Sequence, residues 1–182
     1  MDADNFVTVK PLAGIGRRLA AYAVDAVLLF VGVGLLLGGM LGFVLSQTAG
    51  FEWTRSGLRL WAYVFATASI PIWLYYALLE SGARQATLGM RLLGLRVTGL
   101  DGGRIGFGRA LLRTAVKLIP FEINHAVLFL PAPLFYETEP GFRYGFVAVN
   151  TLMIIYLASA LLTRRRQSIH DLVAGTLVVR GG

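Results

Sequence analysis

The sequence predicts an all-α integral membrane protein: about four transmembrane helices with both termini cytoplasmic, plus a small cytoplasmic β-hairpin/amphipathic-helix segment, in one domain over residues 1–182. Three observations carry this. Hydrophobic residues make up 56% of the chain and charged residues 15%, against about 45–50% and about 25% in soluble domains, and the mean hydropathy is +0.67. Apolar stretches near the roughly 20 residues that cross a 30 Å hydrocarbon core recur along the chain. Lysine and arginine are concentrated in alternate connections, as in multi-pass proteins. The absence of cysteine excludes a disulfide scaffold, thiolate catalysis and Cys-ligated zinc or iron–sulfur centres. A net charge of +7 on so apolar a chain points away from nucleic acid and towards anionic lipid.

Residues 19–45 form the first span, with Asp25 as its one charge; residues 60–79 and 145–162 carry none. Residues 118–136 hold Glu122, Asn124, His125 and three prolines, and fit a broken segment as well as a crossing. Charge decides. Lys10, Arg17 and Arg18 precede the first span, seven basic residues from Arg84 to Lys117 follow the second, and Arg164, Arg165, Arg166 and Arg180 follow the last. The other connections hold only Arg55, Arg59 and Arg143. Both ends are then cytoplasmic, which requires an even number of crossings, so residues 118–136 cross. The first span is too long for a signal-peptide core, and its leader carries Asp2 and Asp4. Trp53, Trp61, Tyr75 and Tyr76 are placed as interfacial anchors of the second span, with a kink at Pro71.

The segment 80–117 reads as cytoplasmic. Leu95–Arg96–Val97–Thr98 alternates like a strand, and Asp101–Gly102–Gly103 is a turn that would fold it onto Arg104–Ile105. Arg109, Arg113 and Lys117 make one helical stripe, opposite Leu111, Ala115, Leu118 and Ile119, suited to lying on the inner leaflet against anionic lipids. In the tail 163–182, Ser168 caps a short helix through Leu172, Gly175 ends it, and Thr176–Arg180 is a strand. A small sheet joining this strand to the hairpin is consistent with the pattern. No internal repeat stands out in the sequence.

Asp25 is the most informative residue. It lies about 9 Å into the first span, where an acid needs a partner or a proton. Arg18 is two turns away and leans outward to the headgroups, so a bridge between them is not expected. The candidates to reach Asp25 are Arg113, Lys117, His170 and His125, and the residues do not choose among them. Asp25 is either a cation or proton site or a structural ion pair. Gly34, Gly38 and Gly42 form a double G-x-x-x-G stripe, read as close helix packing within the chain or in a homo-oligomer. Glu122 and His125, three apart, are either a proton relay or a solvated helix end.

No H-E-x-x-H, P-loop or G-x-S-x-G is present, and two histidines cannot supply a metal phosphohydrolase site, so no enzyme, metal or cofactor is expected.

Three patches together resemble the RDD family of prokaryotic membrane proteins: RRLAAYAVD (17–25), SGARQATLGMRLLGLRVTGLDGG (81–103) continuing into GRALLR (108–113), and RQSIHDLVAGTLVV (166–179). By motif position the resemblance places the name-giving arginine and aspartates on Arg18, Asp25 and Asp171, the Thr-x-Gly patch on Thr87 and Gly89, and the closing pair on His170 and Asp171. Where relatives often carry lysine, this chain has Met90, with Arg91 beside it. The resemblance implies a multi-pass protein of the prokaryotic cytoplasmic membrane, transport-related, with cation/proton exchange proposed for some members. The shared depth of Arg18, Asp25 and residues 168–172 predicts one cluster at the inner membrane face. Two functions follow: movement of a small cation or proton with Asp25 titrating, in a homo-oligomer packed through the glycine stripe, or a scaffold or assembly factor whose Arg and Asp residues are staples.

Overall fold

A computed structural model of the chain describes residues 11–139 and 141–181. Four helices are long and apolar enough to cross a membrane: Ile15–Ala49, Gly57–Ser81, a third within Phe107–Tyr136, and Tyr144–Leu162. We call the first two α1 and α2. A short helix α3 (Leu88–Leu92) and strand β1 (Leu95–Gly99) follow, then the long helix α4 (Phe107–Phe129), α5 (Tyr144–Leu162), a short α6 (Ile169–Ala174) and β2 (Thr176–Arg180). Two stretches of α1 and α2 open into wider π-type turns, Phe30–Gly39 and Phe65–Ser69. The first is rich in glycine, and the second ends just before Pro71, whose missing N–H and ring cannot fit a regular turn.

β1 and β2 pair antiparallel, with Val97 opposite Val178 and Gly99 opposite Thr176. The start of the described chain adds to the same sheet, as Ala13 N donates to Val178 O at 2.9 Å and Arg180 N to Pro11 O at 3.0 Å. Both ends of the described residues therefore meet on one side of the bundle, as an even number of crossings between them requires. The sheet covers a small core of Ala13, Ala21, Met90, Leu95, Val97, Ile105 and Val178. Elsewhere the helices keep large apolar side chains on their outer faces, among them Val27, Phe43, Ile155 and Leu161, as lipid-facing helices do.

The expected hairpin does not form. The turn closes, with Gly99 N bonded to Gly103 O at 2.9 Å, but α4 begins at Phe107, too soon for a return strand, and Ile105 is buried instead. Gln85 takes the place of that strand: Val97 N donates to Gln85 O at 2.7 Å, and Gln85 Nε2 donates back to Val97 O at 2.9 Å.

The third membrane helix starts at Phe107, not Leu118. Its first turns were expected to lie on the lipid surface through Arg109, Arg113 and Lys117. Only Arg109 is exposed; Arg113 and Lys117 are buried, because acids from α2 and α6 neutralise them inside the bundle. The lipid-facing side is Leu112, Ile119 and Ile123. The shift also moves Glu122 from a helix start to deep within α4, about 22 Å from Phe107 at 1.5 Å per residue.

The chain also repeats its architecture, which the sequence did not reveal. Each half runs long helix, long helix, a turn with a left-handed residue (Gln85 or Arg166), a capped short helix, a left-handed glycine (Gly94 or Gly175) and a strand. In each, a glutamine bonds the strand it precedes: Gln85 as above, and Gln167 Nε2 to Thr176 O at 2.9 Å. The matched positions share the closing glycine and a hydroxyl cap (Thr87 and Ser168) and few identities besides, the two glutamines being offset by one residue, so the repeat is a repeat of turns.

Candidate functional site

The charged residues singled out from the sequence gather at the sheet end, in two adjoining niches. Ser168 and Asp171 start the first: Ser168 N donates to Asp171 Oδ2 at 3.2 Å, the return half of a capping box. Gly175 ends α6 in the left-handed region, as expected. This tight turn fixes the Asp171 carboxylate where α1 and α4 pass. Arg18 Nη2 pairs with Oδ2, Arg113 donates to Oδ1 through Nε at 3.0 Å and Nη2 at 2.8 Å, and Thr176 Oγ1 lies 3.2 Å from Oδ1. Arg18 thus turns inward, not to the headgroups, since the paired carboxylate and the Arg166 carbonyl replace its hydration. Arg113 Nη1 continues to Glu80 Oε1 at 2.6 Å, which also accepts from Lys117 Nζ at 3.1 Å. The Lys117 ammonium sits 3.3 Å from the centre of the Tyr76 ring. Tyr76 is therefore buried and bound to a cation rather than anchored at an interface.

Burial by itself would raise the Asp171 carboxyl, but the Arg113 and Arg18 guanidiniums outweigh it and hold it well below the usual carboxylate range. His170 moves the opposite way in charge: burial first, then the positive charges of Arg113, Lys117 and Arg18, hold the imidazole well below its usual value against the pull of Asp171. It is neutral at pH 7, with Nε2 3.4 Å from Tyr22 Oη and Nδ1 without a partner.

Asp25 occupies the second niche, fully buried, and none of Arg113, Lys117, His170 or His125 bonds to it among the described residues. Its partners are neutral: Tyr75 Oη donates to Oδ1 at 2.6 Å, Thr87 Oγ1 to Oδ2 at 2.6 Å and Gly89 N to Oδ1 at 2.7 Å. Thr87 also accepts from Met90 N at 3.2 Å as the N-cap of α3. The Thr-x-Gly patch is thus a carboxylate cradle at a helix start. Glycine is required at 89, since a Cβ there would strike the Ala21 carbonyl and press on the Asp25 carboxylate. Met90 lies in the apolar core and brings no charge to the niche; Arg91 Nε instead bonds Ala86 O at 2.9 Å. Tyr75, placed as an anchor, is a ligand of this cradle.

Arg18, Asp171 and His170 therefore do cluster, while Asp25 stands next to them in a niche of its own. Two residues of the first niche went unseen in the sequence, Glu80 as a counterion and Arg113 as its bridge. The sequence masked this role: Glu80 ends an apolar span with Arg84 four residues on as an apparent local partner, so nothing required a distant one. In the glycine stripe, Gly38 and Gly42 face α2, where Tyr63 Oη bonds the Gly38 carbonyl and would lie 3.0 Å from a Cβ at 42. The stripe is used for packing within the chain at these two positions, one of the two uses the spacing allowed.

Between α1, α2, α4 and α5 lies a cavity of about 850 Å³. Its wall is largely apolar. Arg18, Lys117 and His170 line its sheet end, and Glu122 and His125 line it deeper in the bundle. Glu122 accepts from Ser69 Oγ and Trp73 Nε1, each at 3.1 Å, and His125 Nδ1 is 3.9 Å from Oε2. Asp25 does not line it. No group of three metal-ligating side chains occurs among the described residues.

No curated protein and no solved structure matches the chain. The RDD family model matches residues 12–175, from the sheet-edge segment through Arg18, Asp25 and Thr87 to Asp171 and Gly175, and the chain belongs to the RDD family.

Proposed function

We propose that this protein is transport-related, moving protons, in exchange for a small cation, through the cavity between its helices, with Glu122 and His125 as the titrating pair. The observation that carries the reading is a carboxylate beside an imidazole, deep in a membrane helix, on the wall of a cavity. Ionisable residues at such depth face pathways far more often than lipid. Ser69 and Trp73 stabilise the ionised carboxylate without neutralising it, so it remains able to take up a proton. Asp25 is the weaker titrating site, being closed off from the cavity with both oxygens occupied by donors. The architectural repeat supports the reading in general terms, because carriers commonly place their sites between repeated halves. By the distribution of basic residues, the sheet end faces the cytoplasm of a prokaryotic cell.

The test is reconstitution in liposomes with an internal pH dye, adding Na⁺, K⁺ or Li⁺ outside. Cation-triggered proton movement is expected in the wild type, lost in Glu122→Gln and retained in the folded fraction of Asp25→Asn. The second reading, a scaffold or assembly factor, draws on the way Arg18, Asp25 and Asp171 are spent on closing the sheet end. Wild-type protein that folds and moves no protons with any of the three cations selects it.

A further inference from the structure

We propose that the cavity holds one anionic phospholipid, its phosphate at the sheet end against Arg18 and Lys117 and one acyl chain running along the apolar wall. The phosphate end lies apart from the proton pair, which lines the same cavity deeper in the bundle, and occupancy does not depend on the transport reading.

The argument begins with an asymmetry in how the cavity is lined. At the sheet end the lining charges are two cations, Arg18 and Lys117. The acids that balance them, Asp171 and Glu80, are fully buried and are not part of the lining. A visitor from the bilayer thus meets positive charge backed by a rigid, paired network. Lys117 is nine-tenths buried, with one carboxylate bond at 3.1 Å and a tyrosine ring, so an ammonium with three donors has capacity left. His170 also lines this end, buried and neutral, with Nδ1 unpartnered. Tyr22, on the same wall, supplies a hydroxyl. This donor set fits a phosphate diester and gives a zwitterionic head's ammonium nothing to bind.

Away from that end the lining is mostly apolar, with Leu29, Phe30, Leu118, Phe121, Ile154 and Leu157 around the Glu122–His125 pair. On α1 alone the lining runs from Ile15 to Gly34, about 28 Å at 1.5 Å per residue, which exceeds the roughly 15 Å from interface to midplane that an acyl chain must cover. The volume, about 850 Å³, lies within the range of about 300–1,000 Å³ for ligand cavities. α5 packs on α4 and α6, and α1 on α3, so the wedge between α1 and α5 is left to the lipid phase.

The full chain in detergent is titrated with dioleoylphosphatidylglycerol, dioleoylphosphatidylcholine or inorganic phosphate. The readouts are the midpoint of thermal unfolding and the number of lipids retained in native mass spectrometry. One phosphatidylglycerol is expected to be retained, with a saturable rise in midpoint at concentrations at least about tenfold below those at which phosphatidylcholine acts, and no effect of phosphate. Ala26→Phe fills the tail channel from an exposed position of α1 and touches none of the ionic network. It is expected to keep the lipid-free midpoint and weaken phosphatidylglycerol at least about tenfold, while Lys117→Gln removes the preference over phosphatidylcholine. Equal action of the two lipids, full action of phosphate alone, or Ala26→Phe binding like wild type would each overturn the proposal. So would a dimer in light scattering that Ala26→Phe converts to monomer, since a second copy would then fill the wedge.

Discussion

In the first half of the chain the acid sits on the long helix, where Asp25 of α1 reaches out to the start of α3 and is met by two hydroxyls and a backbone N–H. In the second half the acid sits on the short helix, where Asp171 of α6 is met by guanidiniums from α1 and α4. The two carboxylates are equally buried and dock equivalent pieces. One is held by dipoles alone, the other by opposite charge. The difference lies in what remains if each acid is neutralised. Around Asp25 no cation is stranded; around Asp171 two are, both buried. Arg18 also ties the halves together, because it belongs to the first and pairs with the acid of the second.

The largest effect that can break this comparison is Asp171→Asn. It leaves Arg18 and Arg113 buried against a neutral amide, and removing one partner of a buried ion pair costs about 3–5 kcal/mol. The expected result is a large drop in the detergent-solubilised unfolding midpoint, with the sheet end opening first in hydrogen exchange at Val97 and Val178. A cost below about 1 kcal/mol would show that the guanidiniums find other partners and that the second half is not locked by charge.

Asp25→Asn comes next. The amide keeps an acceptor for the Gly89 N–H, and the Thr87 or Tyr75 hydroxyl can turn to accept from the new NH₂. What is lost is the charge-assisted part of the bonds, about 1–3 kcal/mol. Measured side by side, Asp25→Asn should be the milder change. The reverse order would mean that Asp25 carries long-range charge compensation for the neighbouring cations, and that the two niches are one.

Much of this was legible in the residues. Hydropathy and basic-residue asymmetry sufficed for four spans and for placing both chain ends together, and an aspartate inside α1 announced a built partner. Ser168 and Gly175 announced their short helix. The direction of the Arg113–Lys117 stripe was not legible. A basic i, i+4 pattern has the same period whether it faces headgroups or acids within the bundle, and only Glu80 and Asp171, 33 and 58 residues from Arg113 in sequence, decide the matter. The neutral ligands of Asp25 were hidden for a similar reason. Threonine, tyrosine and a backbone N–H carry no charge to attract notice, and the search was for a cation. The repeat escaped because what recurs is a pair of left-handed turns and a glutamine bonding its strand, with few shared side chains to register as similarity.

The smallest effect is also the one that separates the halves by pH, because only the second contains a histidine in its lock. His170 faces Asp171, Arg113, Lys117, Arg18, Tyr22 and Tyr156, and its folded-state value lies well below the ordinary one of about 6.5. Below that pH the unfolded chain binds a proton that the folded chain refuses, so stability is fully present above about pH 7 and falls as the pH drops through 6.5. One such group contributes a slope of at most about 1.4 kcal/mol per pH unit. Asp171 has the same sign, since its folded value is also depressed, but its loss begins only below about pH 4, the ordinary range of an unfolded aspartate. The two windows open at different pH, the His170 loss at about 6.5 and the Asp171 loss at about 4. Unfolding followed from pH 7 to 5 should show the slope in the wild type and a flat profile in His170→Gln, with the onset of the acidic limb at about pH 4 retained. A slope that survives in His170→Gln belongs to a group outside the lock, and a flat wild-type profile would mean that the imidazole is protonated where it lies, adding a fourth cation to a network that then has only two acids.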